Sequence, residues 1–198
     1  MRNLRVDTEK FENTLIPIMK KDGKLDPIIG RENEIDEGIY ESQIPAFDEL
    51  RGFVESNLMW DLDLNYEDLV DEFMTNYYKD ASSYMHEIYT DIRDQYAYFQ
   101  GALEPSSGGI YGQITNAKLF PAAFVRRLDA HYTNAVKAIE GLKETDAKTY
   151  QKVYDRIMKE YLSLIYIKMS LYRSYYTTEQ INEMHDIFDY YIFYSQYN

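Results

Sequence analysis

The chain has 198 residues, 45% of them hydrophobic and 28% charged, an ordinary globular composition with room for one substantial core or two small ones. Its net charge of −13 and pI near 4.6 argue against a nucleic-acid partner or an anionic membrane surface, since both are bound through basic faces. With no cysteine, disulfides, thiolate catalysis and thiolate metal sites are excluded.

Residues 1–43 show no sustained helical period. Short apolar runs at 15–19 and 25–29 flank Lys20, Lys21, Asp22, Gly23 and Lys24, which predicts an irregular segment or a β-hairpin turning at the Asp-Gly pair. Pro17 and Pro27 confine both runs to edge strands or extended chain. The N-terminus lacks the apolar stretch of a secretory signal, and no run approaches the ~18 apolar residues of a membrane span; as written, the chain is expected in the cytoplasm.

From residue 44 to 198 the apolar pattern predicts an all-α domain, an antiparallel bundle of about six helices. The first helix opens at Ile44, with Pro45 in its first turn and Phe47, Leu50, Val54 and Leu58 on one face. Leu58, Met59 and Trp60, the sole tryptophan, close that run, and a helix over 66–78 buries Tyr66, Leu69, Val70, Phe73 and Tyr77. Asn65 is placed to cap it, with Glu67, Asp68, Asp71 and Glu72 near the positive end of its dipole.

The same stretch matches a calcium loop, because Asp61, Asp63, Asn65, Glu67 and Glu72 fall at its positions 1, 3, 5, 7 and 12. It departs from the pattern in having Tyr66 where the sharp turn requires glycine and Asp68 where an apolar residue is usual. Capping and solvation of a short inter-helix turn explain the same acidic residues.

A third helix is expected to start after Asp80 as N-cap, run through Tyr84, Ile88, Ile92, Tyr96 and Phe99, and stop at Gly101. Residues 101–116, rich in Gly, Ser and Pro, form the one clear interior break; a loop this long is expected to be functional or disordered. Its only aromatic residue, Tyr111, is either a binding tip or a peg. After Pro121 a fourth helix carries Phe124, Leu128, Tyr132, Ala135, Ile139 and Leu142 and breaks at 143–146.

The fifth, from Ala147 to about Tyr175, would be ~43 Å long at the helical rise. Its stretch YLSLIYIKMSLY, residues 161–172, is apolar nearly all round, which makes this helix the expected buried centre. Thr177 and Gln180 spell a capping box for a last helix through Ile181, Met184, Phe188 and Ile192.

Catalytic motifs do not emerge from the residues. A di-iron carboxylate bundle needs Glu three residues before His, and Ser83, Leu128 and Asn182 stand before His86, His131 and His185. His185 and Asp189 share a helix face, as one pair rather than a ligand set. The glycines of SSGGIYG lack the strand-to-helix setting of a phosphate or dinucleotide loop. No catalytic residue and no cofactor are assigned. With 21 tyrosines, aromatic stripes at helical spacing read first as packing and second as sugar-stacking platforms, with Trp60, Tyr77, Tyr78 and Tyr111 as the candidates.

PAFDELRGFVESNLMWDLDLNYEDLVDEFMTNYYKDASSYM and ITNAKLFPAAFVRRLDAHYTNAVKAIEGLKETDAKTYQKVYDRIMKE together resemble the helical region that follows the barrel in a bacterial glycoside-hydrolase-like family. That family is a domain of unknown function distantly similar to α-glucuronidases and β-hexosaminidases, and the likeness covers roughly residues 44–176. The resemblance implies an extracellular or cell-surface polysaccharide-degrading context, with acid and base carboxylates on an upstream (β/α)8 barrel. LIPIMKKDGKLDPIIG looks like a remnant of late barrel sequence, but the barrel strands are absent and no catalytic residue carries over.

Three readings remain. The first is a non-catalytic accessory or oligomerisation module, a homodimer or the partner of a barrel domain or other chain; α-glucuronidases, by analogy, pair through helical C-terminal domains. The second is an oligosaccharide-binding module, and the third a glycoside-hydrolase fragment that works with a chain supplying the catalytic barrel.

Overall fold

The structure, a computed structural model, describes residues 46–61, 63–100 and 117–191. These are helical for 87% of their length, and no strand occurs among them, which establishes the all-α class. The expected N-terminal hairpin, the 101–116 loop with Tyr111, the side chains of Tyr96 and Phe99, and Ile192 lie outside the described residues.

Helix α1 spans Asp48–Trp60, so it starts later than Ile44; positions 44 and 45 are not described. Leu50 and Val54 are its buried residues, one turn apart on the inward stripe. Phe47, at the N-cap, takes a left-handed conformation (φ 59°, ψ 33°), which costs a residue bearing a Cβ about 1–2 kcal/mol. Its ring is buried edge-on against Tyr89, at 5.5 Å between centroids.

Helix α2 spans Tyr66–Tyr78, and Asn65 caps it as its position predicts: Oδ1 accepts from the Glu67 amide at 2.8 Å and the Asp68 amide at 3.4 Å. Beyond it the chain departs from the expected Asp80 cap. A 3-10 turn, Lys79–Ala81, leads directly into α3, Ser82–Gln100, and Asp80 sits inside that turn. The reason is tertiary. Ala81 is fully buried, and the next helix packs over the turn, so it is drawn into the core rather than left as a solvated start.

Helix α4 spans Ala122–Ala138 behind an extended Pro121 and buries Phe124, Val125, Leu128, Tyr132 and Ala135. The expected break at 143–146 holds a single helical turn, α5, Leu142–Thr145, and then Asp146, which caps α6 (Ala147–Tyr172) by accepting from the Thr149 amide at 3.0 Å. Helix α6 occupies the predicted central position. It packs on α2, α4 and α5 and also on the helix over Thr178–Asp189, and from residue 160 to 169 none of its residues is fully exposed. A 3-10 turn at Arg173–Tyr175 ends it where the long helix was expected to continue.

Helix α7, Thr178–Asp189, opens with the predicted capping box, both halves present: Thr177 N–H donates to Gln180 Oε1 at 2.9 Å and Gln180 N–H to Thr177 Oγ1 at 3.3 Å. Thr177→Ala removes one half and is expected to lower unfolding free energy by about 1 kcal/mol, read as an earlier urea midpoint. An unchanged midpoint would show that α7 is held by its contacts with α6 alone.

Candidate functional site

Among the described residues, the aromatic side chains expected to form a sugar platform, Trp60, Tyr77 and Tyr78, are placed in three different environments. Tyr78 is fully buried, its hydroxyl turned to Glu160, because it lies one helical turn beyond Met74 on the inward face of α2. Tyr77 is half-buried and already stacked: Phe73 lies parallel at 4.5 Å, and the Arg156 guanidinium sits 3.7 Å from the ring centroid while donating to the Tyr77 carbonyl at 2.8 Å. Trp60 alone of the described candidates presents a free ring, at 92% exposed, beside Met59 at 85%. The helix geometry accounts for this. Trp60 follows the buried Val54 by six residues and so points about 240° round from it.

The acidic residues do not build a calcium loop either. Asp61 Oδ1 accepts from the Asp63 amide at 2.9 Å, closing a local turn, and Asn65 Oδ1 is taken up by the helix cap. Because α2 has begun by Tyr66, Glu67 and Glu72 lie five residues apart on a helix, about 140° around its axis. In a calcium loop position 7 ligates through its backbone carbonyl, and here the Glu67 carbonyl belongs to the hydrogen-bond ladder of α2. Its side chain faces Arg93, at 3.7 Å, and among the described residues no group of three or more His, Asp or Glu side chains is placed to hold a metal.

Two of the three histidines are drawn into helix-to-helix pairs. His86 meets Asp71 at 3.2 Å, tying α3 to α2; His131 meets Glu87 at 2.8 Å, tying α4 to α3, with Asp91 at 3.6 Å from its other nitrogen. Arg127 reaches Asp91 at 2.8 Å in the same cluster. His185 and Asp189 both lie exposed on α7.

Two charged residues inside α6 escaped the sequence reading. Glu160 is 5% exposed; its Oε2 accepts from the Phe47 backbone N–H at 2.7 Å, and its Oε1 accepts from the Tyr78 hydroxyl at 3.4 Å. Burial pushes its carboxyl up to about 8; the Phe47 amide opposes this, and the Glu49 carboxylate adds to it. Lys168, also 5% exposed, donates to Asp129 Oδ1 at 2.8 Å and to the Tyr161 hydroxyl at 2.9 Å, and Tyr161 in turn donates to Asp129 at 2.6 Å. The Tyr161 and Tyr176 rings lie 5.3 and 5.1 Å from its ammonium.

A signal for Glu160 was present. Val153, Ile157, Glu160, Leu164 and Ile167 alternate by four and three, so the glutamate occupies a core position of its own stripe. Chemically the two clusters differ. Lys168 has its counter-charge in contact, whereas Glu160 has two neutral donors and holds a proton readily.

No protein-family model, curated protein or solved structure matches the chain.

Proposed function

We propose that the domain is a non-catalytic oligomerisation module of a carbohydrate-active, glycoside-hydrolase-like system, an antiparallel bundle of about six helices that pairs with a second copy of itself through the turn between α1 and α2. The carbohydrate context rests on the resemblance over residues 44–176. The pairing surface rests on one observation: Trp60 and Met59 leave their side chains in water beside the exposed Leu64, three neighbouring apolar groups in one turn, whereas the other exposed large rings, Tyr98, Tyr175 and Tyr190, are spread over other parts of the chain and carry hydroxyls.

Sedimentation velocity tests the pairing. Wild-type protein is expected to dimerise with concentration, and Trp60→Ala to weaken the dimer by about tenfold or more, as central tryptophans do at interfaces. Asp61, Asp63 and Asp68 crowd the same turn, so like charges oppose pairing and added salt is expected to strengthen it. A monomer at every concentration and salt level would overturn the pairing. A monomer whose sedimentation shifts with xylo- or chito-oligosaccharide would instead favour an oligosaccharide-binding module, with Trp60 as its stacking ring.

A further inference from the structure

The buried carboxyl of Glu160 stands where three parts of the fold meet. It lies on α6, receives the hydroxyl of Tyr78 at the end of α2, and receives the amide of Phe47, the residue that starts α1. That amide is an unpaired donor of a helix N-terminus, and here its acceptor comes from 113 residues away. Phe47 is held there in a left-handed conformation, so part of the bond's strength is spent keeping a strained residue in place.

The charges around Glu160 are unbalanced. Asp48, itself paired with Arg51 at 2.8 Å, and Glu49 face it from α1, Tyr77 and Tyr78 from α2, and Tyr132 from α4. Arg156, one turn before it on α6, is engaged with the ring and carbonyl of Tyr77. An ionised Glu160 would therefore be a buried negative charge beside two carboxylates, with only an amide and a hydroxyl to solvate it. The protonated form makes the Phe47 bond without that penalty.

We propose that Glu160 is a proton-operated latch for α1: while its carboxyl is protonated the helix is held on the bundle, and loss of the proton loosens it. The inference stands apart from the pairing proposed above, although α1 carries Met59 and Trp60 at its far end. The sign follows from linkage. With α1 released, water reaches Glu160 and its carboxyl moves back toward the ordinary value of 4.5; with α1 seated, burial pushes it up to about 8. Seating takes up a proton between those values, so the latch is fully effective in acid, weakens as pH rises through that window, and levels off above it.

Amide hydrogen exchange followed by mass spectrometry tests the latch, with α1 peptides compared to α3 and α4 peptides in the full chain. Wild type is read against E160Q at each pH, which cancels the intrinsic pH dependence of exchange. Between pH 5 and 8, α1 protection in the wild type is expected to fall relative to E160Q by about tenfold for each pH unit, with α3 and α4 changing less. Equal pH profiles in the two proteins, or parallel loss across all helices, would overturn the proposal. If E160Q does not fold, Tyr78→Phe serves. Removing the hydroxyl that favours the ionised carboxyl should move the levelling-off point to higher pH, and an unmoved point overturns the latch equally.

Discussion

Asp129→Ala is expected to lower the unfolding free energy by about 3 kcal/mol, and Lys168→Met by less than about 1 kcal/mol. The two residues form one ion pair at 2.8 Å, yet their environments differ: the Lys168 side chain is 6% exposed and that of Asp129 is 35%. Removing Asp129 strands an ammonium in the interior with only the Tyr161 hydroxyl and two aromatic rings to solvate it. Removing Lys168 leaves a carboxylate that water can reach and that still accepts from Tyr161. Methionine also keeps most of the apolar stem that lysine buries on α6. Urea unfolding of both single variants and the double variant checks this, and the double should recover most of the Asp129→Ala loss. Equal losses from the two single changes would mean that the pair is valued for its mutual attraction rather than for neutralising a buried lysine.

The larger effect is expected at Ile157→Ala, with a loss of about 3–4 kcal/mol. Ile157 is completely buried in the main core cluster, and α6, which carries it, packs on both sides of the bundle, so neighbours have little freedom to close the cavity. For a domain whose total stability is on the order of 5–15 kcal/mol, that is a substantial fraction. Trp60→Ala removes a larger side chain and is expected to change the stability of the monomer by no more than about 0.5 kcal/mol, because the ring contributes exposed area to the folded state. Urea midpoints at unchanged slope, taken at low protein concentration, compare the two. A large Trp60→Ala loss in the monomer would place that ring in the core after all.

What could be read from the sequence was local. Asn65 and the Thr177–Gln180 box satisfy backbone donors within three residues, so short sequence patterns sufficed to find them. The bounds of α2 and the central place of α6 followed from apolar spacing over several turns. The pattern that points to Asp80 as a cap is overridden because Ala81 is pulled inward by another helix, and Asp146 belongs by sequence to a polar break yet caps α6. Glu160 and Lys168 owe their positions to Phe47, Tyr78 and Asp129, partners 39 to 113 residues distant that no local window contains. The candidate site was less legible than the fold. Trp60, Tyr77 and Tyr78 are similar as sequence features, and only the direction of each around its helix separates an exposed ring from a stacked or buried one.

The bond between Phe47 and Glu160 also orders events during synthesis. Helices α2, α3 and α4 each find a packing partner among their sequence neighbours, and those contacts can form as the chain emerges. The Phe47 amide must wait for 113 more residues, roughly 6 to 23 s at ordinary elongation rates. Throughout that interval the first described helix has its apolar stripe to place but not the carboxyl that fixes its start. Its final seating is therefore set by a long helix made much later, and a ribosome paused before Glu160 would hold a nascent chain whose first described helix is not yet locked.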